Sequence, residues 1–283
     1  MRFFWLVILS LSLPALLLGC ATSDFLGNFN LISPREEEQL GEQLSDEIRK
    51  ESKEIQDKEI VGYIQAIGQK LVSVSMQPGE PYAFHVIKDD SVNAFAIPGG
   101  HIYVHTGLIA AAENEAEIAA VIAHEMGHAE NHHPTENMSR AIGAQILTGI
   151  ILGNEPGALQ QAAAGLVANG GLSAYSRSAE READSTAVFL LNRAGYDPNA
   201  IVTFFEKLLA IEKQQGGGSI GISLFSSHPD TVERINNAKA QINTFNVQRA
   251  SAKEIIGGFQ AVNAKVKSMD STGQDAVKTE ARR

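Results

Sequence analysis

The spacing of apolar residues predicts two amphipathic helices near the start of the chain. Residues 35–54 are mostly charged, but Leu40, Leu44 and Ile48 recur every four positions and share one helix face. The preceding Ser33-Pro34 pair, followed by acidic residues, is typical of a helix start. A second helix is indicated by apolar residues at helical spacing, namely Ile60, Ile64, Ile67 and Leu71. The charged run is therefore interpreted as the solvent-facing side of a helix rather than an interaction tail.

The pattern changes to strand-like alternation between residues 82 and 104. It predicts three short strands, separated by turns at residues 88–90 and 98–100, which are Tyr82–Ile87, Val92–Ile97 and His101–Val104. Three histidines fall in this region without the spacing of metal ligands, and we expect them to be structural or exposed: His85, His101 and His105.

Helical patterns fill most of the remaining chain. A Glu- and Ala-rich run without Pro or Gly begins at Glu113, and its helix must end by Pro134. Residues 137–170 are apolar and are interpreted as two short helices broken at residues 153–157, because polar residues interrupt the run too often for a membrane hairpin. Later helices are predicted in four places: Tyr175–Asp184 continuing to Gly195, Asn199–Gln214, Asp230 to about Gln241, and Ser251 to about Met269. Roughly the last dozen residues are polar and are expected to be disordered.

These elements predict an α+β fold that is mostly helical, with the small sheet packed beside the helix that begins near Glu113. The chain has 283 residues and is 44% hydrophobic, so it can bury a full core. Its net charge is −10, its isoelectric point is about 5.3, and no cluster of Lys and Arg stands out. A nucleic-acid partner is therefore not expected.

The first 20 residues differ in kind from the rest. Arg2 is followed by an almost wholly apolar run that ends Leu17-Leu18-Gly19-Cys20, as in a secretion signal. Cys20 is the only cysteine, and its position resembles a bacterial lipobox, which implies cleavage before Cys20 and lipid attachment to it. The alternatives are an ordinary signal peptide with an incidental cysteine, or an uncleaved anchor. We expect a signal peptide at residues 1–19 and a polar tether at residues 20–33.

The strongest chemical motif is H-E-x-x-H at residues 124–128. His124 and His128 are four residues apart on a predicted helix, so they share one face and can bind one metal ion. Glu125 would then act on a metal-bound water. The alternative is a surface helix that carries two histidines by chance. His133 lies past this helical turn, so it is expected to cap the helix or hydrogen-bond a neighbouring segment rather than bind metal.

A third ligand is available further along the chain. Glu180 and Asp184 are also four residues apart, so one carboxylate can bind zinc while the other orients a ligating histidine. We assign Glu180 as the ligand and Asp184 as the orienting residue, whereas Glu182 points elsewhere on the helix and should be exposed. The alternative for Glu180 is an ordinary solvated carboxylate.

Four motifs in a fixed order make the chain recognisable. They are Asn93-Ala94-Phe95-Ala96 with residues 98–100, then H-E-x-x-H, then Ser176-Arg177 with residues 180–184, and last His228-Pro229 with Glu233-Arg234. In this order they resemble the gluzincin-type metallopeptidases that include HtpX, the mitochondrial Oma protease, the CaaX prenyl protease, BepA and LoiP. The resemblance covers roughly residues 35 to 245. The chain shows neither the multiple membrane spans of HtpX nor the helical repeats of BepA, so it looks most similar to LoiP-like lipoproteins.

The resemblance implies a zincin-type metallopeptidase domain at residues 34–247, followed by a C-terminal segment at residues 248–283. One Zn²⁺ would be held by His124, His128 and Glu180, and Glu125 would be the general base and acid. His228 or Arg234 could stabilise the oxyanion. The resemblance also offers His228 as a removable fourth zinc ligand, and a third alternative is that His228 caps the next helix.

An extended substrate would pair with the backbone of an edge strand that contains Asn93, Ala94, Phe95 and Ala96, unless that strand is merely structural. Such pairing would make sequence selectivity broad.

The expected function is a zinc endopeptidase tethered to a bacterial envelope membrane through Cys20. Because Ala21 rather than Asp follows Cys20, the pattern resembles sorting to the outer membrane, facing the periplasm. The resemblance further suggests quality control of misfolded envelope proteins and contact with the envelope assembly machinery. Two alternatives remain open, a non-hydrolytic zinc-binding chaperone or assembly lipoprotein, and an envelope scaffold without metal.

Overall fold

The computed structural model describes residues 30, 32–147, 174–214, 228, 231–244 and 252–280. Within these ranges the helices are α1 Pro34–Glu51, α2 Lys58–Val72, α3 Thr106–Ala111, α4 Glu115–Glu130, α5 His133–Leu147, α6 Arg177–Ala194, α7 Asn199–Gln214, α8 Thr231–Thr244 and α9 Phe259–Glu280. The strands are β1 Ala83–Ile87, β2 Ala94–Ile97 and β3 His101–His105. The predicted signal peptide, the lipidation site Cys20, most of the tether and the break at residues 153–157 lie outside the described residues.

The predicted fold class is confirmed, since a small sheet packs among many helices. The strand order is β1-β3-β2, with β1 parallel and β2 antiparallel to β3. Among the described strands, β2 therefore lies at an edge of the sheet, as predicted. Helix α2 packs against β1 and helix α4 packs against β2, around the larger of two apolar clusters among the described residues.

The first helix forms for the reasons that the sequence indicated. Ser33 accepts a hydrogen bond from the backbone N–H of Glu36, and the Glu36 carboxylate accepts one from the backbone N–H of Ser33. This reciprocal capping box satisfies N–H groups that a helix start leaves without partners. Leu40 and Leu44 are buried on the inner face, so the charged residues around them face solvent, as predicted.

Helices α4 and α6 pack closely against each other. Gly127 on α4 meets Ala183 on α6 so closely that a Cβ atom on Gly127 would lie 2.8 Å from the Cα of Ala183. Only glycine allows the two backbones to approach this far. The contact brings residues 124–128 against residues 180–184.

The buried carboxylate of Glu115, at the start of α4, binds the segment that precedes α9. Glu115 is fully buried and accepts a hydrogen bond from the hydroxyl of Tyr196 at 2.6 Å and one from Tyr63 at 3.2 Å. It also accepts three from consecutive backbone N–H groups, those of Ile255, Ile256 and Gly257, at 2.8–3.0 Å. Five donors therefore surround one carboxylate, and they fix the C-terminal segment to the helix that carries H-E-x-x-H.

The C-terminal prediction needs a correction. Helix α9 spans Phe259–Glu280 and so continues past Met269, where the sequence predicted its end; the expected disorder of the last dozen residues stays a prediction. The apolar spacing does fade after Met269, but the residues beyond it include good helix formers that extend a helix already begun. The three final residues lie outside the described ranges. No helix in the described part of the chain is both long and apolar enough to span a membrane.

Candidate metal centre

The two histidines of H-E-x-x-H converge as their spacing predicts. Asn114 caps the start of helix α4, because its side chain accepts a hydrogen bond from the backbone N–H of Glu117 at 3.2 Å. Four residues apart on this buried helix, His124 and His128 turn their Nε2 atoms toward each other at 3.0 Å. A single metal ion would meet both nitrogens.

Helix α6 supplies a third donor. Ser176 caps its start by accepting a hydrogen bond from the backbone N–H of Ala179 at 3.2 Å. One turn later, Glu180 is 2% exposed, and its two oxygens each lie 3.6 Å from an Nε2 atom, one of His124 and the other of His128. Glu180 is thus not a solvated surface carboxylate, which was the alternative that its sequence left open.

His228 joins the same group from a different part of the chain. Its Nδ1 lies 3.0 Å from Glu180 Oε1 and 3.3 Å from His124 Nε2, and its Nε2 lies 3.5 Å from Glu125 Oε1. The possible ligand atoms of His124, His128, Glu180 and His228 all lie within 4.8 Å of one another, and all four residues are buried. The structure thereby brings together every residue predicted as a ligand, together with the one whose role the sequence left open.

The donor set fits a metal ion of the zinc type. Two imidazole nitrogens and a carboxylate are the ligands that catalytic zinc prefers. Both oxygens of Glu125 are buried and make no hydrogen bond within the described part of the chain. A buried carboxylate without a donor is unfavourable, and a metal-bound water is the donor that such a site would provide. The chemistry of these residues is therefore consistent with zinc.

Asp184 and Arg234 lie directly behind the donor group. Asp184 Oδ1 is 2.9 Å from His124 Nδ1, and Arg234 donates to both Asp184 oxygens at 2.9 Å and 2.7 Å. The third guanidinium nitrogen of Arg234, Nη1, lies 3.0 Å from Glu180 Oε2. Burial raises the pKa of Asp184, but the guanidinium outweighs it and holds this pKa well below the ordinary value. Asp184 is therefore charged and orients His124 through its Nδ1–H.

Burial shifts the pKa values of the groups at this centre. It raises the pKa of Glu125 to about 7, against the opposing charges of His228 and Arg234. Burial and the nearby charge of Arg234 together lower the pKa of His124 to about 4. A neutral His124 has a free ring nitrogen for a metal, since histidine binds metals as the neutral imidazole.

Strand β2 runs beside helix α4, which carries Glu125 and packs on the strand. Phe95 stacks on Tyr103 of the neighbouring strand, and the backbone carbonyl of Asn93 accepts from the N–H of His105 at 3.0 Å. The predicted substrate segment, including Ala94, is thus a sheet edge next to Glu125.

Two residues at the centre were not predicted as part of it. The ring of Tyr175 stacks on the ring of His128 with centroids 3.9 Å apart. His133 Nδ1 lies 3.0 Å from His128 Nδ1. The signal that the sequence offered for Tyr175 was its position directly before Ser176, which caps the helix that carries Glu180. His133 was expected to cap a helix or to hydrogen-bond a neighbouring segment, and the structure shows the contact with His128.

Outside this group, His85 contacts Glu54 at 2.8 Å, as expected of a structural histidine in the sheet.

Comparison with known proteins agrees with this geometry. The family model described as Peptidase family M48 matches residues 60–242. The chain belongs to peptidase family M48. The family predicted from the four motifs is thus confirmed, and with it the identification as a metallopeptidase.

The curated relatives that match this chain are longer proteins. The Beta-barrel assembly-enhancing protease of Escherichia coli (strain K12) is 28% identical over 253 residues, which are 86% of this chain and 51% of that protein. The Mitochondrial metalloendopeptidase OMA1 of Schizosaccharomyces pombe is 30% identical over 192 residues, which are 67% of this chain and 55% of that protein. The chain therefore spans about half the length of the curated relatives it matches.

Proposed function

We propose that this chain is a zinc-dependent endopeptidase of the bacterial cell envelope. The observation that carries the proposal is the position of Glu125, a buried carboxylate without a hydrogen bond in the described residues, beside the group of His124, His128 and Glu180. A general base held next to an open metal position is what hydrolysis requires. A site that only stored zinc would have no need of a buried carboxylate there.

The residues around the centre have distinct roles in this proposal. His124, His128 and Glu180 would hold zinc, which when bound lowers the pKa of a water and polarises the scissile carbonyl. Glu125 would accept a proton from the attacking water and pass it to the leaving amine. Asp184 holds His124 in the tautomer that leaves Nε2 free.

Arg234 is better suited to positioning the ligands than to binding the oxyanion. Its guanidinium is buried, donates to both oxygens of Asp184 and forms an ion pair with Glu180, so it is held by the ligand and by the residue that orients His124. His228 is then the remaining candidate for oxyanion stabilisation. In the arrangement described here, however, His228 lies 3.3 Å from His124 Nε2 and 3.0 Å from Glu180. We therefore propose that His228 is the fourth ligand of a closed state and must withdraw before substrate binds.

Substrates would be extended or misfolded polypeptides that pair with β2 along the edge that faces away from β3. Residues Asn93–Ala96 would supply main-chain hydrogen bonds, and such pairing reads little of the side-chain sequence. The position of β2 beside Glu125 supports this placement. One relative is described as enhancing β-barrel assembly, which suggests substrates or partners in the envelope assembly machinery and a role in protein quality control.

The proposed location follows from the first residues of the chain. A signal peptide at residues 1–19, a lipid on Cys20 and a tether at residues 20–33 would attach the peptidase domain, residues 34–247, and the segment at residues 248–283 to the outer membrane on its periplasmic side. Incorporation of labelled fatty acid should be lost on Cys20→Ala, and the variant should appear in the soluble periplasmic fraction. Labelling of the Cys20→Ala variant equal to wild type would contradict the lipid anchor.

Metal analysis combined with a casein assay tests the enzymatic proposal. Wild type and Glu125→Gln should each hold about one zinc, while the variant loses cleavage by about 10²–10⁴-fold because only the general base is removed. Glu113→Gln, which changes an exposed carboxylate near the start of the same helix, is the matched control and should retain activity. If zinc-loaded Glu125→Gln cleaved casein normally, the mechanism would be wrong. Protection of clients unaffected by Glu125→Gln would favour the chaperone alternative.

A further inference from the structure

His133 contacts a predicted metal ligand although it is not itself in the donor group. It is the first residue of α5, it is 2% exposed, and its Nδ1 lies 3.0 Å from Nδ1 of His128. Its other ring nitrogen, Nε2, lies 3.3 Å from Glu182 Oε2. The side chain of Glu182 is 60% exposed. A chain of contacts thus runs from the metal centre through a buried imidazole to a carboxylate at the surface.

The protons in this chain can be assigned from the contacts. Two ring nitrogens 3.0 Å apart need one proton between them, because a neutral imidazole has one donor and one acceptor nitrogen. The Glu182 carboxylate only accepts, so the Nε2 of His133 carries the proton there and its Nδ1 is left as an acceptor. His128 must then donate from Nδ1, which leaves the Nε2 of His128 with a free lone pair. That Nε2 faces His124 across the site at 3.0 Å.

We propose that His133 is a positioning residue that fixes the tautomer and ring orientation of His128 for metal binding, with Glu182 fixing the tautomer of His133. This inference rests on the proposed metal site. The two ligating histidines are then oriented by different groups. His124 is held by a buried carboxylate, Asp184. His128 is held by the neutral His133, which in turn contacts the surface carboxylate of Glu182.

The surroundings of His128 agree with a rigidly held ring. Tyr175 stacks on it at 3.9 Å with an angle of 21° between the rings, so one face is covered while Nδ1 is bound. Partners that hold a ligand ring and raise its basicity typically change metal affinity by about 10–100-fold when removed. His133 is the residue in contact with Nδ1 of His128 in the described part of the chain.

Zinc affinity of the full-length protein, measured by competition with a chromophoric chelator, tests the proposal. His133→Leu removes the acceptor, and zinc should dissociate about 10–100-fold more readily. His133→Asn keeps an acceptor oxygen where Nδ1 stands, and affinity should return to within about threefold of wild type. The neighbouring His132 pairs with Glu37 at 2.9 Å, away from the metal centre. His132→Asn is the matched control and should leave zinc affinity unchanged.

Two outcomes of the competition would overturn the proposal. One is a His133→Leu protein that binds zinc as tightly as wild type. The other is equal loss in His133→Asn and His133→Leu when both are folded, as judged by circular dichroism in chelator, because the acceptor would then be irrelevant. A wild-type protein without zinc affinity would contradict the proposed function instead, so the two failures are distinguishable.

A measurement on wild type avoids any dependence on the folding of variants. Histidine labelled with ¹⁵N reports which ring nitrogen carries the proton. In the full chain loaded with zinc, His133 should be protonated at Nε2 and His128 at Nδ1, with a scalar coupling across the hydrogen bond between their Nδ1 atoms. Protonation of His133 at Nδ1 would contradict the proposal.

Discussion

Asp184 Oδ1 lies 2.9 Å from His124 Nδ1 while the same carboxylate is bound by Arg234. One buried anion thus orients a metal ligand and balances a buried cation. Its removal should harm both metal binding and folding, and these effects can be measured separately.

Asp184→Asn should weaken zinc binding by about 10–100-fold, because the neutral amide no longer fixes the tautomer of His124. It should also lower the free energy of unfolding by about 3 kcal/mol, because it leaves Arg234 without its main buried counter-charge. Chelator competition measures the first effect and urea unfolding in chelator the second. Asp197→Asn is a suitable control, since it keeps the side-chain acceptor at the start of α7 and should change neither quantity. An unchanged zinc affinity in Asp184→Asn would show that the orientation of His124 does not depend on this carboxylate.

Gly127→Ala should separate the two helices that carry the ligands. The added Cβ would lie 2.8 Å from both the Cα and the carbonyl oxygen of Ala183, so α4 and α6 must move apart and Glu180 moves with α6. We expect a loss of zinc affinity of at least tenfold and a destabilisation of about 1–3 kcal/mol. Gly62→Ala in helix α2 is the control, because no described atom apart from the helix's own backbone lies within 4 Å of its added Cβ, and it should stabilise by about 0.5–1 kcal/mol. Normal zinc binding by Gly127→Ala would mean that the close packing is not needed for the site.

Glu115→Ala should destabilise the protein without changing any group at the metal centre. It would leave three backbone N–H groups and two tyrosine hydroxyls without their buried acceptor. We expect a loss of about 3 kcal/mol or more in urea unfolding. The exposed Glu113, two residues earlier, serves for comparison, since Glu113→Ala should stay within about 0.5 kcal/mol of wild type. Equal stability of the two variants would contradict the role given to Glu115.

His228→Ala should raise the rate of casein cleavage if His228 is the fourth ligand of a closed state. Its Nδ1 lies 3.3 Å from His124 Nε2, within the donor group, so its removal opens a position for water. Val232→Ala, at an exposed position on α8, controls for changes in that helix. A fall of about 10²-fold in His228→Ala would instead assign His228 to oxyanion stabilisation.

The local elements of this fold can be predicted from the sequence because they depend on residues that are close together in the chain. The Ser33 and Glu36 capping box, the spacing of His124 and His128, and the helix start at Ser176 each depend on residues a few positions apart. For the same reason the sequence could nominate Glu180 and Asp184 as a pair on one helix face.

Features that depend on distant partners could not be predicted in this way. Nothing local to Glu115 indicates that residues 255–257 will enclose its carboxylate. His133 is only five residues from His128, but their contact depends on the turn between α4 and α5, where His132 has a φ of 55°. The parallel pairing of β1 with β3 also joins strands that are not consecutive.

An anomalous-difference map at the zinc absorption edge, from crystals of the wild-type protein, would show whether the proposed ligands bind zinc. We expect one peak about 2.0–2.2 Å from Nε2 of His124, Nε2 of His128 and a carboxylate oxygen of Glu180. Absence of a peak among these three residues in zinc-loaded crystals, or a peak held by other residues such as His85 and His101, would contradict the proposed zinc site.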